Sequence, residues 1–305
     1  MNTDFEMLRQ LALGDAVDDT KENRLLAETF GLELLENDGK IQNPVPLELL
    51  DPEFLYQEIA PAAHQSLSRL DLHWTIESTN TRVMDLGRST EFHGYACLAE
   101  QQTAGRGRRG RNWVSPFGKN IYLTLGWVMP SERSIEGLSL AVGTGVAAAI
   151  QSVSNTEIQL KWPNDVLIGA GKAAGILIEI AGGTGQERRL VIGVGINLQL
   201  SHQDAGSIEQ PWSVVEGVSR NRLAAALISE LVTVLEKFSQ QGFEPFQAPW
   251  ARLDAHFGQE VRLIANDRET VGISRGVDAS GNLLLDTAEG KKTFNAGEVS
   301  LRATQ

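Results

Sequence analysis

The sequence predicts an α/β chain that ends in a small all-β unit, and three observations carry that prediction. Apolar runs of strand length alternate with helix-period runs from about residue 55 to 250. After Gly258 the texture changes to short alternating segments separated by polar or glycine-containing turns. Finally, 305 residues with 42% apolar content exceed one typical compact domain and suffice for a sizeable core. The expected division is a small leading module over 1–48, an α/β domain over 55–250 and a β unit over 256–305.

In the leading module Leu8, Leu11, Leu25, Leu26 and Phe30 are the apolar positions of helical or mixed structure, and Asn37-Asp38-Gly39-Lys40 has the composition of a tight hairpin turn. Asn43-Pro44-Val45-Pro46 reads as a linker. Strands are expected at Tyr95–Ala99, Ile121–Leu125, Ile176–Ile180 and Val191–Ile196. Leu138, Val142, Val146 and Ile150 fall four apart, as do Leu223, Leu227, Leu231 and Leu235, so both runs predict helices. Asn221 and Gly242 suit the caps of the second. Val261–Ile264, Val271–Ile273 and Leu283–Leu285, with turns such as Ser280-Gly281-Asn282, predict a β-barrel of about 45 residues.

Composition removes several function classes. No apolar run approaches the ~18 residues of a membrane span, and the acidic start Met1–Glu6 lacks the basic and apolar regions of a signal peptide, so a soluble, cytoplasmic protein with no membrane partner is expected. The lone Cys97 makes no internal disulfide and reads as a small buried hydrophobe. Five histidines, none in H-x-x-x-H or Cys/His spacing, predict no dedicated zinc site. Of the formal net charge of -12, residues 1–60 hold -10, from fourteen Asp/Glu against four Lys/Arg. Such a segment is repelled by a nucleic-acid backbone.

Against that acidic background, Gly105–Trp113 places four arginines in six residues, Arg106 to Arg111. Glycines let backbone approach a ligand closely, and arginine forks bind carboxylate or phosphate bidentately. A solvated basic turn and an RNA-binding Arg/Gly box are the alternatives, though such boxes are usually repeated and this one is single. Its place between two strand-like runs makes it a functional loop mounted on a sheet. Downstream come Lys161-Trp162-Pro163-Asn164-Asp165 and then Gly169–Gly175, which carries Lys172 but lacks P-loop spacing.

Taken in order, Ser78-Thr79-Asn80, Gln102 with the arginine loop, the KWPND run, Lys172 and Gly193-Val194-Gly195-Ile196-Asn197 resemble the biotin protein ligases. The likeness covers roughly residues 45–305, Val299-Ser300-Leu301-Arg302 included, and is greatest to the bacterial members that double as biotin-operon repressors. It implies a catalytic domain of the class II aminoacyl-tRNA synthetase-like type, a mixed sheet flanked by helices, followed by an SH3-like barrel. It also implies a reaction in which Mg-ATP and biotin give biotinyl-5′-AMP and pyrophosphate, after which biotin passes to one lysine of the biotin carboxyl carrier protein of acetyl-CoA carboxylase. ATP and Mg2+ enter as a substrate complex, and no tightly bound metal is expected.

By that resemblance, Arg106, Arg108 and Lys172 are catalytic positions meeting the carboxylate and phosphate, and Gly107 contributes a backbone N–H. Ser78, Thr79, Asn80 and Gln102 serve the uncharged ureido ring, which needs neutral hydrogen-bonding groups. Trp113 matches a position that packs on adenine; Arg109, Arg111, Asn164, Asn197 and Arg302 fall on the nucleotide side, and Asp165 is the one metal candidate. The loop 105–113 and the polar stretch Ser201–Pro211, anchored by Trp212, suit covers over a water-labile intermediate. A lipoate ligase shares the fold, but the GRGRRGR and KWPND pair favours biotin. The resemblance also leaves open a homodimer through the central sheet.

The pattern departs from the repressor type at the N-terminus. Leu26–Leu35, Gly39-Lys40 and Pro44-Val45-Pro46 resemble the last helix and wing of a winged helix-turn-helix, yet only sixteen residues separate Gly14 from Gly31. That is too little chain for both a turn and a separate recognition helix of two to three turns. With the local charge of -10, operator binding is expected to be lost or weak.

Overall fold

The computed structural model of the chain describes residues 3–183, 185–265, 268–295 and 299–303, without the side chains of 3, 4, 265, 268 and 299–303. The leading module contains α1 (Thr3–Ala12), β1 (Val17–Asp18), α2 (Lys21–Thr29), β2 (Leu35–Asn37) and β3 (Lys40–Gln42), the strands forming an antiparallel sheet in the order β1-β3-β2. The expected hairpin turn is present, with Asp38 and Gly39 both at positive φ, 47° and 75°. Two short helices follow, α3 (Pro52–Glu58) and α4 (Pro61–His64). The central domain then runs β4 (Arg69–Ile76), α5 (Thr79–Asp85), β5 (Tyr95–Gln102), β6 (Ile121–Pro130), α6 (Leu138–Val153), β7 (Gln159–Lys161), β8 (Asp165–Ile168), β9 (Gly171–Gly183), β10 (Glu187–Ile196), α7 (Arg220–Gln241) and α8 (Glu244–Leu253).

Seven strands form one mixed sheet in the order β4-β5-β6-β10-β9-β8-β7, in which only the β4–β5 pair is parallel. Parallel pairing needs a crossover, and α5 supplies it. The helix α6 is buried over most of its turns, and the four leucines of α7 at 223, 227, 231 and 235 lie inside with it. Each such leucine contributes about 1.5–3 kcal/mol of apolar burial. The last five strands, β11 (Glu260–Ala265), β12 (Arg268–Val277), β13 (Leu283–Thr287), β14 (Gly290–Phe294) and β15 (Val299–Ala303), form an antiparallel sheet in the order β14-β13-β12-β11-β15.

Three local expectations are corrected. The cap of α7 is Ser219, whose hydroxyl accepts from Arg222 N, while Asn221 lies inside the first turn. Glu48 occupies the helix start, accepting from Ser219 Oγ at 2.7 Å, Arg220 N at 2.7 Å and Asn221 N at 3.0 Å. Burial by itself raises the Glu48 carboxyl, but these hydrogen bonds outweigh it and hold the group below the usual carboxylate range. Asn43–Pro46 is not a loose linker: Asn43 is buried, its amide bonds both ways with Val45, and the following Leu47 joins a core. The strand expected at Ile176–Ile180 is longer, since β9 begins at Gly171 and so carries Lys172. Of the apolar positions of the leading module, Leu8 and Leu11 are buried and Leu25 is exposed. By contrast Cys97 is fully buried, and burial pushes its thiol up to about 12.

The leading module shares its core with the central domain. Leu8, Leu11, Ile41 and Leu47 cluster with Phe117, and Trp74 packs alongside. Phe30 meets Phe117 edge-on at 4.9 Å, and Trp74 stacks on Phe117 at 5.8 Å. Since Phe117 lies four residues after Trp113, the module braces the segment that leaves the arginine loop.

At the other end, the β unit is joined to the KWPND segment. Ala255 N donates to Leu160 O at 2.9 Å, and the fully buried Trp162 donates its indole N–H to Gly281 O at 3.1 Å. A half-buried carboxyl and a buried imidazole sit in this joint. Burial raises the Asp254 carboxyl to about 6, partly offset by the His256 N–H it accepts. Burial, and then Lys161, lower the His256 imidazole. A raised carboxyl contributes stability that is full below its unfolded value and is lost as pH rises through about 6. The lowered imidazole contributes stability present above the ordinary histidine range and lost as pH falls. Asp254→Asn, which keeps the acceptor for His256 N–H, separates the two. The variant is expected to gain up to about 3 kcal/mol over the parent near pH 8 and nothing near pH 4. Thermal melts across that range decide it; an equal shift at both ends removes Asp254 from the titration.

Candidate active site

The arginine loop, the start of α5 and strands β9 and β10 enclose one open cleft. Its wall begins at Ser78, the N-cap of α5, and continues through Thr79 and Asn80, all buried. A chain of neutral hydrogen bonds fixes these groups. Gln102 Oε1 accepts from Thr79 N at 2.9 Å and Thr79 Oγ1 at 3.1 Å, and its Nε2 donates to Ser115 Oγ at 2.9 Å. Ser115 Oγ donates in turn to Trp113 O at 2.9 Å. The Thr124 hydroxyl lies 2.8 Å from both Thr79 Oγ1 and Asn80 Oδ1. The amide orientation of Gln102 is thus set by its partners, leaving it a second N–H.

Two glycines of β10 make the floor possible. A Cβ at Gly193 would stand 2.0 Å from Asn80 Oδ1, and one at Gly195 would stand 2.4 Å from the Trp113 indole. Both positions therefore exclude any side chain. Trp113 lies across this strand, with Lys172 Nζ 5.4 Å from its ring centroid. Its indole N–H has no hydrogen-bond partner among the described residues.

The charged groups gather around the same cleft. Arg108 Nη1 donates to Asn164 Oδ1 at 2.9 Å, and Asn164 Nδ2 donates to Ile176 O at 2.8 Å. Burial lowers the Arg108 guanidinium from the usual arginine range, Asp165 opposes that, and Arg109 and Arg111 add to it. Guanidinium remains charged regardless. Lys172 Nζ lies 2.6 Å from Asp165 Oδ1, while Lys161 Nζ lies 3.9 Å from Asp165 Oδ2. Asp165 is therefore a counter-ion to two lysines, and no cluster of three metal-ligating side chains occurs among the described residues. Arg106 Nη2 meets Glu179 Oε1 at 2.7 Å.

The cleft unites Ser78, Thr79, Asn80, Gln102, Arg106, Gly107, Arg108, Trp113, Asn164 and Lys172. Arg109 and Arg111 are exposed on the loop and do not line it. Asn197 lies behind it: its Nδ2 donates to Lys172 O at 3.3 Å and Ser213 O at 3.2 Å, so it clamps the backbone that carries the lysine. The predicted anchor Trp212 pairs with Lys172 through backbone, Lys172 N donating to Pro211 O and Ser213 N to Lys172 O, both at 3.0 Å. Arg302 falls in β15 opposite Arg262, and its side chain lies outside the described residues.

The model of the biotin/lipoate A/B protein ligase family matches residues 73–197, and that of the biotin protein ligase C terminal domain matches residues 256–302. The bifunctional ligase/repressor BirA of Salmonella typhimurium is 38% identical over 283 residues, spanning 90% of this chain and 86% of the relative. The chain belongs to the biotin protein ligase family. Another biotin ligase, the biotin–[acetyl-CoA-carboxylase] ligase of Paracoccus denitrificans, is 32% identical over 73% of this chain and 96% of its own length. Among solved structures, the biotin protein ligase from Aquifex aeolicus in complex with biotin and ATP matches with a TM-score of 0.68 at 27% identity, covering 77% of this chain and 99% of that one.

Sequence reasoning passed over three groups that shape this biotin ligase cleft: Thr124, Ser115 and Glu179. Thr124 and Ser115 carried no signal in the sequence, being single hydroxyls beside apolar strands. Glu179 did carry one, as the single charge in the apolar run Ile176–Ile180.

Proposed function

We propose that this cleft joins biotin to ATP, releasing pyrophosphate, and then transfers the biotinyl group from the adenylate to a lysine of a biotin carboxyl carrier protein. The observation that carries the reading is the division of the cleft into a neutral end, Thr79, Asn80 and Gln102, and a cationic end, Arg108 and Lys172. A ureido ring has one carbonyl oxygen to accept and two N–H groups to donate, which suits amides and hydroxyls fixed in one orientation. At the other end, a biotin carboxylate oxygen attacks the α-phosphorus of ATP and pyrophosphate leaves. Both reactants are anionic, so fixed cations lower the barrier where charge accumulates. Trp113 offers its indole face beside them, and Lys172 is held toward the same point by Asp165 and by the backbone clamp of Asn197.

In the second step the amine of the carrier lysine attacks the acyl carbon and AMP leaves. The acceptor follows from relatives that are biotin–[acetyl-CoA-carboxylase] ligases. Mg2+ is read as travelling with ATP. Asp165 could give it one carboxylate, but that oxygen pair already faces Lys172 and Lys161. For a homodimer through the central sheet β4 is the available edge, since β7 pairs on its outer side with Asp254.

Incubation with biotin, ATP, magnesium and an apo carrier domain, followed by intact mass, tests the reading. A mass gain of one biotinyl group is expected. No biotin transfer, alongside transfer of lipoate, would overturn it.

The reading also takes operator binding to be lost or weak, with a bifunctional ligase and repressor as the alternative. Between α2 and β2 lie only Phe30 to Leu34, and the described part of the leading module holds two helices. Fluorescence anisotropy with a biotin-operator duplex at low salt is expected to show no sequence-dependent binding when biotin and ATP are present. Submicromolar, sequence-dependent binding would refute the loss.

A further inference from the structure

One carboxylate joins the neutral wall of the cleft to the arginine loop. Glu179 lies on β9 two residues after Leu177, a cleft-lining residue, so strand alternation turns both to the same face. Its Oε2 accepts from Asn80 Nδ2 at 3.0 Å and its Oε1 accepts from Arg106 Nη2 at 2.7 Å. The partners come from elements 99 and 73 residues away in the chain. The side chain is about four-fifths buried, with 21% of it exposed, while that of Arg106 is 43% exposed.

Each bond has a separate consequence. An asparagine amide presents a donor on one side and an acceptor on the other, and the two ends have nearly the same shape. The Thr124 hydroxyl beside Asn80 Oδ1 can donate or accept, so it does not decide which end is which. An ionised carboxylate only accepts. Glu179 therefore turns the Asn80 NH2 toward β9 and leaves the carbonyl over Gly193, where the missing Cβ gives it room. The second bond acts on the loop. Arg106 is flanked by Gly105 and Gly107 and pairs by backbone with Asn112 of the same loop, so its ion pair is a tie from that loop to the sheet. A bond to a partly buried, doubly bonded carboxylate is stronger than an exposed surface pair.

We propose that Glu179 is a positioning residue for the ring end of biotin: it sets the polarity of Asn80 and docks Arg106, so that loop and wall present one fixed hydrogen-bonding surface. The inference rests on the biotin ligase reading for its substrate, though not for its loop contact. Arg106 acts on the substrate from the place Glu179 gives it, using N–H groups other than the one bound there.

Two measurements on the full chain test it. In biotin-dependent ATP–pyrophosphate exchange, Glu179→Gln is expected to raise KM for biotin about tenfold, with KM for ATP and kcat within about twofold of the parent. Glu179→Ala raises KM for biotin further. Arg106→Ala combined with Glu179→Gln is expected to lose less than the two single variants added together, because the ion pair between them is counted in both, while the Asn80 bond belongs to Glu179 alone. An unchanged KM for biotin, or an equal rise for ATP, overturns the proposal. Trypsin nicking at the loop arginines of the ligand-free protein is the second measurement. It is expected to rise several-fold in Glu179→Ala at an unchanged melting temperature. Unchanged nicking refutes the docking of Arg106 whatever the substrate, whereas parent enzyme without biotin-dependent exchange refutes the ligase reading instead.

Discussion

Arg108→Ala is expected to slow biotinyl-adenylate formation by about 10²–10³, the range seen when one preorganised charge-stabilising donor is removed from an active site. The side chain lies partly buried, and its Nη1 is held on the Asn164 amide, which is itself held on Ile176 O. That arrangement keeps a cation in place before substrate arrives, so little reorganisation is needed as negative charge builds on the α-phosphate and the attacking carboxylate. Lys172→Ala is expected to fall in the same range, with a further consequence. It takes from Asp165 its partner at 2.6 Å and leaves Lys161 at 3.9 Å, so a less fully compensated carboxylate faces an anionic substrate. The melting temperature should hold in Arg108→Ala, because the loop carries no core side chain other than the partly buried Trp113. Single-turnover formation of the adenylate, measured with melting curves, checks both variants. Turnover within threefold of the parent removes the residue from the chemistry; a loss that tracks a fallen melting temperature assigns it to stability.

The elements most legible in the sequence were those whose signal is periodic and local. Leu223, Leu227, Leu231 and Leu235 lie inside α7 as their spacing predicts, and the Asp38-Gly39 turn follows from the two residues able to take positive φ. Capping was less legible because it is tertiary here. Asn221 has the chemistry of a cap, but Glu48, from far away in the chain, fills the helix start and leaves the cap to Ser219. Leu25 shows the limit of apolar spacing by itself: it is exposed although it is apolar and helical, because burial also needs a neighbouring element to cover the residue. In the cleft, the arginines, Lys172 and the Ser78–Asn80 run were legible as motifs. The residues that orient them were not, since Thr124, Ser115 and Glu179 acquire meaning only when strands distant in sequence are laid side by side. Two glycines spaced to one face of β10 are an intermediate case, a signal of close approach that does not say what approaches.

Arg220→Ala is expected to produce the largest loss of stability, about 3–5 kcal/mol, which lowers the melting temperature by on the order of 10 °C. Arg220 is buried at the start of α7, where its guanidinium pairs with Glu100 of β5 and donates to Asn120 O at 2.8 Å and Glu48 O at 3.1 Å. Glu100 uses its other oxygen to accept Leu50 N at 2.6 Å. The pair therefore joins the segment leaving the N-terminal module, the strand that carries Gln102, and the helix that covers the sheet. Truncating the arginine leaves a buried carboxylate with a single N–H for compensation, and the cost of that desolvated charge outweighs any gain from the removed side chain. Glu100→Gln is expected to be less severe, since it keeps an acceptor for Leu50 N and leaves the arginine its two carbonyl partners. Replacing both, as Glu100→Gln with Arg220→Met, is expected to recover much of the loss because no buried charge remains. Denaturant and thermal unfolding of the parent, Arg220→Met, Glu100→Gln and the double variant form a double-mutant cycle, with Arg220→Ala measured beside them. A melting temperature for Arg220→Ala within about 2 °C of the parent would mean that water reaches Glu100, and the pair would then rank with ordinary surface ion pairs.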